Sequence, residues 1–348
     1  MKSRHFFVLS ALTLAASLTA CGGGGSGSNT TPVSVGVGTA PVTAPVTVAP
    51  INTAIVTTVV AANYATGSEE QAAFNRLNAE RGQCGFGLLT QAVQLDAAAK
   101  SHNDYQIINN LRSHFENLTQ FPKGFTGAEG IDRAIAKGYI DSGSVSDEFT
   151  VKINLTNKSG SGDMGIRDLL SAPYHLAGLM DGNRDVGLSV RSSIETTPVG
   201  VNPSVFFHVN SSYKSVAGKQ LITAGNVQTY PCQGSTGVSR QLTNETPNPI
   251  PGRDLSTNPI GTPIYIATRD GTQLTIATTS LKETISNTAI VLRIPITAEN
   301  DPQAFYKANQ GYVAPDAPLK ALTQYTATVT GTANGAAFSK TFSFTTGA

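Results

Sequence analysis

Few side chains in this sequence can do chemistry. It holds 5 histidines in 348 residues. Three fall in one stretch: His102 in Lys100-Ser101-His102-Asn103-Asp104, His114 in Arg112-Ser113-His114, and His175 in Ser171-Ala172-Pro173-Tyr174-His175. Imidazole changes charge near neutral pH and ligates metals when neutral, so histidines with carboxylates nearby suit either acid–base work or a metal site. The carboxylates that follow His114 in this stretch include Asp147-Glu148, Asp163 and Asp168. Ser113 and Ser171 stand near histidines in sequence, but no Gly-x-Ser-x-Gly elbow is present to mark a Ser-His-Asp hydrolase. The Gly160–Gly165 stretch lacks the Lys-Ser/Thr of a phosphate loop, and no carboxylate pair is recognisable at glycosidase-like spacing.

Helices must position most of these groups. Ser68 followed by Gln71 reads as a capping box, and Phe74, Leu77 and Arg81 then recur at helical spacing. A second helix fits Thr90 to Asn109, with Val93, Ala97, Ala98, Tyr105 and Ile108 near one stripe. That stripe puts His102, beside Asn103 and Asp104, on the exposed side. A third helix fits Ala128–Gly138 with Ile131, Ala134 and Ile135 inward, and a fourth fits Gly165–Met180, broken at Pro173. Period-2 segments at Glu148–Leu155, Asp185–Arg191, Val205–Asn210 and Val227–Tyr230 read as strands.

Composition separates this stretch from what flanks it. The chain carries 24 Lys+Arg against 23 Asp+Glu, which excludes a nucleic-acid binder relying on a basic surface. Residues 1–20 have Lys2 and Arg4, then the apolar run Phe6–Leu18, then small residues, the layout of a secretory signal. Leu18-Thr19-Ala20-Cys21 resembles the bacterial lipobox, in which the cysteine becomes the first mature residue and carries the lipid. Gly22 is not the Asp associated with inner-membrane retention, so the resemblance favours the outer membrane. The next residues, 21–64, are uncharged and rich in Gly, Ser, Thr, Pro, Val and Ala, which reads as a tether. Ile51–Ala62 is apolar enough to be an exposed strand instead.

With Cys21 assigned to lipid, Cys84 and Cys232 remain as an even pair in an oxidising compartment, where a disulfide is expected. Beyond Cys232 the texture is Pro-punctuated and then alternating. Strands are expected at Pro263–Ala267, Gln273–Thr278, Ala289–Ile296, Tyr325–Thr330 and Ala337–Phe344. The closing Leu322-Thr323-Gln324-Tyr325 and Phe342-Ser343-Phe344-Thr345-Thr346 resemble the last hairpin of bacterial Ig-like modules.

Between these flanks, six fragments in order resemble the CAP superfamily (cysteine-rich secretory proteins, antigen 5, pathogenesis-related 1), whose bacterial form is the SCP domain. They are Phe74-Asn75-Arg76-Leu77-Asn78-Ala79-Glu80-Arg81, Leu95-Asp96-x-Ala98-Ala99-x-x-His102, Asn110-x-x-Ser113-His114, Arg133-x-x-x-x-Gly138-Tyr139 with Glu148 following, Leu169-Leu170-Ser171-x-Pro173-x-His175, and Asp185-Val186-Gly187-Leu188-Ser189-Val190. The resemblance implies an α-β-α sandwich with a large cleft, where His114 and His175 face each other and hold a divalent metal with Glu148 as the acidic partner. Two neutral imidazoles and a carboxylate suit zinc. The family's Gly-Glu-Asn appears here as Asp147-Glu148-Phe149, so Asp147 is an alternative partner, and the second acid of eukaryotic members has only Asp163 or Asp168 as counterparts.

The expectation is therefore an α+β chain: signal peptide 1–20, tether 21–64, CAP/SCP-like domain 65–238, and Ig-like β-sandwich 245–348. Its expected function is that of a monomeric, lipid-anchored envelope protein whose cleft binds a small apolar or envelope ligand, with zinc as a possible cofactor. A metal-dependent hydrolase or peptidase with Glu148 as base is one alternative, and a structural adhesion protein is another. Partners are the membrane, through Cys21, and that ligand, with no nucleic acid.

Overall fold

A computed structural model describes residues 51–195 and 203–348. The signal peptide, the lipobox Cys21 and the first part of the tether lie outside the described residues. Helix α1 (Glu69–Cys84) starts at Ser68, whose Oγ accepts from Gln71 N at 3.1 Å, and ends at Gly85 in the left-handed conformation. The Gln71 side chain reaches back to Gly67 N at 2.8 Å, one residue earlier than a capping box would place it. Strand β1 (Thr90–Gln91) takes the residues expected to open the second helix, and α2 runs Val93–Asn109. Helix α3 is Gly130–Ala136, and the fourth expected helix is divided at Pro173 into α4 (Ser161–Ser171) and α5 (Pro173–Met180). Proline at the first helical position loses no hydrogen bond, so it starts α5 where it could not continue α4.

Strands β2 (Ser142–Ile153), β3 (Asp185–Ser192) and β4 (Ser204–Lys214) join β1 in a mixed sheet of order β1-β3-β4-β2, with β2 at an edge. Side chains alternate across this sheet. Val205, Phe207 and Val209 of β4 join the core shared with α1, α4 and α5. On the opposite face, His208 stands against His102 of α2, and Asn103 of α2 donates to Phe206 O and Ser189 O. Helices thus cover both faces of the sheet.

Of the stripe expected to be buried on α2, Ala98 and Tyr105 are buried, but the buried face as a whole is turned from it. Leu95, Ala98, Ala99, His102, Asn103 and Gln106 are buried, while Val93 and Ile108 are exposed. Apolar periodicity misplaced the face because three of its eight buried residues, His102, Asn103 and Gln106, are polar and held by hydrogen bonds rather than by hydrophobic contact. His102 is consequently not a surface residue. Its Nδ1 meets Glu116 Oε1 at 2.9 Å and its Nε2 meets Ser113 O at 2.8 Å. Of the residues expected inward on α3, Ala134 is buried and Ile131 half-buried, but Ile135 is exposed.

The later strands form antiparallel sheets. One has the order β10-β11-β8-β5, from β5 (Gln228–Tyr230), β8 (Ile264–Ala267), β10 (Ile296–Thr297) and β11 (Gln310–Val313). Another has the order β13-β12-β9, from β9 (Leu274–Glu283), β12 (Gln324–Ala333) and β13 (Ala336–Thr345). A short pair joins β6 (Gln241–Leu242) to β7 (Ile260–Gly261). Ile264, Ile266 and Val313 of the first sheet share a core with Tyr325, Val329, Phe342 and Phe344 of the second, so the two pack face to face. Tyr265, Ala267 and Tyr312 turn the other way and join the core of the helical region. Strand β5, which the sequence places before Cys232, pairs with β8. The segment expected as a strand at 289–296 forms only isolated bridges, at Ala289 and Leu292, before β10.

Cys84 and Cys232 are disulfide-bonded across 148 residues, joining the end of α1 to the segment after β5. Residues 51–64 form no strand. They lie along the body through Leu88 N to Val56 O at 2.9 Å and Leu221 N to Thr53 O at 2.8 Å.

Candidate functional site

His114 and His175 come from opposite layers and meet beside edge strand β2, with ring centres 5.8 Å apart. His114 sits on the loop after α2. Buried Glu116 ties that loop down by accepting from Thr126 N at 2.6 Å and Gly127 N at 3.3 Å as well as meeting His102. His102 also contacts the carbonyl of Ser113, next to His114, so it supports the loop from beneath. His175 occupies the first turn of α5. β2 contributes two consecutive carboxylates, and because strand side chains alternate, Asp147 and Glu148 point to opposite faces.

Each carboxylate serves the histidine on its own side. Asp147 Oδ2 lies 3.3 Å from His114 Nδ1, and Glu148 Oε2 lies 3.9 Å from His175 Nε2. The sequence left the two open as alternatives. They turn out to act on different rings. Asp147 Oδ1 also receives His208 Nε2 at 2.7 Å and Arg133 at 2.9 Å. Burial alone would raise its carboxyl, but His208, His114 and Arg133 outweigh that and hold it well below the usual carboxylate range. His208 is pushed down to about 4, chiefly by burial, so near pH 7 it is neutral and donates through Nε2.

On the other side, Glu245 reaches in from the segment after β6. Its Oε1 accepts from Tyr174 N at 2.8 Å and His175 N at 3.2 Å, the open end of α5, and lies 3.0 Å from His175 Nδ1. Burial would lower His175, yet Glu245 and Glu148 together raise it. Glu148 is raised by burial, against the pull of His175, and Ser146 Oγ donates to its Oε1 at 2.7 Å.

Both rings thus have Nδ1 held by a carboxylate. Each leaves Nε2 for other work, the arrangement in which an outer carboxylate fixes the tautomer of a ligating imidazole. Two imidazoles sharing one tetrahedral zinc through Nε2 would have centres about 5 Å apart, given Zn–N bonds of about 2.1 Å. The observed 5.8 Å between ring centres is close to that, and His114, His175 and Glu148 are the residues that would hold such an ion. Among the described residues, no group of three or more His, Cys, Asp or Glu side chains has the spacing of a pre-formed metal cage. His114 retains 32% side-chain exposure, so the centre is open to solvent on that side.

The other candidates lie elsewhere. Ser113 Oγ accepts from Phe115 N and Ser171 Oγ donates to Asp168 O, so both hydroxyls are occupied away from the imidazoles. Asp163 pairs with Arg167 and Asp168 with Lys152. Sequence reasoning missed Glu245 and His208. Glu245 is the single acidic residue between Cys232 and Asp254, in a segment of Thr, Asn and Pro, and that isolation was its only signal. His208 lies in an alternating strand at a position that reads as core.

No protein-family model matches the chain. No curated protein matches it. Among solved structures, an outer surface protein from Borrelia burgdorferi aligns with 43% of this chain and 96% of its own length, at 12% identity and a TM-score of 0.33. At that score the two backbones differ too much for the likeness to bear on fold or function. Among the described residues, no helix is long and apolar enough to cross a membrane.

Proposed function

We propose that this is a lipid-anchored, extracytoplasmic envelope protein, favoured for the outer membrane, in which residues 65–238 form a CAP/SCP-type module and residues 245–348 an Ig-like one. Lipid on Cys21 would hold it at the membrane. Its cleft at β2 and α5 binds a small envelope ligand, and a divalent ion, zinc by preference, is held by His114, His175 and Glu148. The observation that supports this reading is the pairing of His114 and His175 at 5.8 Å with each Nδ1 already engaged by a carboxylate. Bound zinc would supply Lewis acidity and a charge for the ligand to meet. Asp147 and Glu245 orient the two rings, and Arg133 fixes the His114 loop by donating to His114 O at 3.1 Å.

Zinc titration of the purified protein by calorimetry tests it. His114→Ala and His175→Ala should each weaken binding at least about tenfold, as expected for loss of one of two nitrogen ligands. If neither changes the affinity, the site is wrong and the structural reading of the molecule takes its place. The second reading, a metal-dependent hydrolase, draws on the buried Glu148, whose raised carboxyl is suited to a general base. In this reading His114 and His175 alone hold the metal and Glu148 is the base, so it requires hydrolysis of some substrate that Glu148→Gln abolishes while zinc stays bound.

A further inference from the structure

A cavity of about 240 Å³ opens beside this centre, between β2 residues 144–146, one face of α5, and the loop at 305–310. It adjoins Glu148 directly. Ser146, which donates to Glu148, lines the cavity, and so does Gly178, where an added Cβ would lie 2.0 Å from Glu148 Oε1. One wall is aromatic: the Tyr174 and Phe305 rings stand 5.2 Å apart, and Phe305 is 59% exposed although the segment around it is well ordered by Asp301. The rest mixes small apolar side chains, Val145 and Ala177, with neutral polar groups. Asn183 is buried with its Oδ1 lacking any partner, exposed Ser144 adds a hydroxyl, and buried Gln310, whose Oε1 accepts from Lys307 N at 3.0 Å, adds a polar wall.

The charges at the rim are already spent on each other. Asp181 accepts from Lys219 at 2.9 Å and Lys307 at 3.0 Å, and Asp270 lies 3.6 Å from Lys219. Two carboxylates against two ammonium groups leave no net charge to recognise an ion. Pockets for drug-sized ligands span roughly 300–1,000 Å³, so this one suits a single ring with small substituents. A purely apolar chain would bury Asn183 and Gln310 against hydrocarbon, at the cost of unmade hydrogen bonds. A ring with one apolar face and a rim of neutral hydroxyls meets every wall.

We infer that this cavity binds one neutral hexose unit of a glycan, its apolar face on Phe305 and Tyr174 and its hydroxyls on Asn183 and Ser144. The inference rests on the reading of this region as a ligand-binding cleft, and it identifies the class of ligand. It does not depend on zinc.

The test is saturation-transfer NMR and calorimetry of the purified protein with glucose, N-acetylglucosamine and dodecanoate. Either sugar should receive saturation on its ring protons and bind with Kd on the order of 1 mM. Phe305→Ala removes the stacking face and should weaken binding about fivefold. Ser144→Trp fills the cavity and should abolish binding. Both positions are exposed, and an unchanged circular-dichroism spectrum checks that both variants fold. Sugar binding that survives His114→Ala and His175→Ala while zinc binding is lost or was never present supports the pocket independently of the metal centre. No sugar response at about 20 mM, an unchanged response in both pocket variants, or a response to dodecanoate alone overturns the inference.

Discussion

Glu245 does more for the candidate site than its position in the sequence suggests. One oxygen accepts from two backbone amides that α5 leaves unpaired and from the ring of His175. Glu245→Ala would strand these donors in a site where the carboxylate is itself buried. An unmade buried hydrogen bond costs about 1–3 kcal/mol, and the three share one cavity, so a total near 3 kcal/mol is expected rather than their sum. Urea unfolding should show that loss, with a smaller one for Glu245→Gln, which keeps an acceptor oxygen. In the same pair of variants zinc affinity should fall about 10- to 100-fold for Ala, the usual effect of removing an outer-shell partner. Equal stability and affinity in both variants would mean that the carboxylate does not hold the ring.

At the scale of elements, close approach decides where helices lie. Helix α4 runs so near α1 that a Cβ on Gly162 would sit 1.9 Å from Glu69 O. Glu69 in turn accepts from Gly160 N at 2.9 Å and Gly162 N at 2.8 Å, satisfying donors at the start of α4. Alanine in place of glycine gains up to about 1 kcal/mol of helix propensity. The contact is with backbone and cannot be relieved by a rotamer change, and overpacking costs about 1–3 kcal/mol, so Gly162→Ala should be net destabilising by about 1 kcal/mol. A midpoint of thermal unfolding equal to or above that of the parent would contradict this. The same scale explains what the sequence revealed. The cap at Ser68, the break at Pro173 and the strands at 185, 205 and 228 were legible because each is set by local chemistry. The buried face of α2 was not, since Asn103 is inside for a partner far away in the chain, Ser189, and His102 and Gln106 for Glu116 and Ser113 in the irregular loop that follows. The histidine pair was legible only through motif order, and Glu245 not at all, because its role is created by the packing of a later segment onto α5.

For the whole molecule, the sheet containing β8 and β11 is the shared wall. One face closes the core with β12 and β13, and the other, through Tyr265 and Tyr312, closes the core with the helices. The disulfide between Cys84 and Cys232 crosses the same junction. A loop of 148 residues is worth about 4–5 kcal/mol in the chain-entropy account, with strain subtracting from it. Replacing both cysteines by serine should lower the unfolding midpoint by about 10 °C while leaving one cooperative transition, as scanning calorimetry would show. Two separated transitions in the parent protein would mean that the common wall does not couple the two regions.

The carboxylates of β2 also make the centre sensitive to parity. Asp147 and Glu148 reach different histidines only because they occupy odd and even places on one strand. The strand carries a register irregularity between Ser142 and Val145, upstream of both. A residue gained there is taken up as a larger bulge and leaves the two acids facing as they do. A residue gained between Val145 and Asp147 would turn each acid to the other layer, keeping the composition of the site while exchanging which ring each one serves.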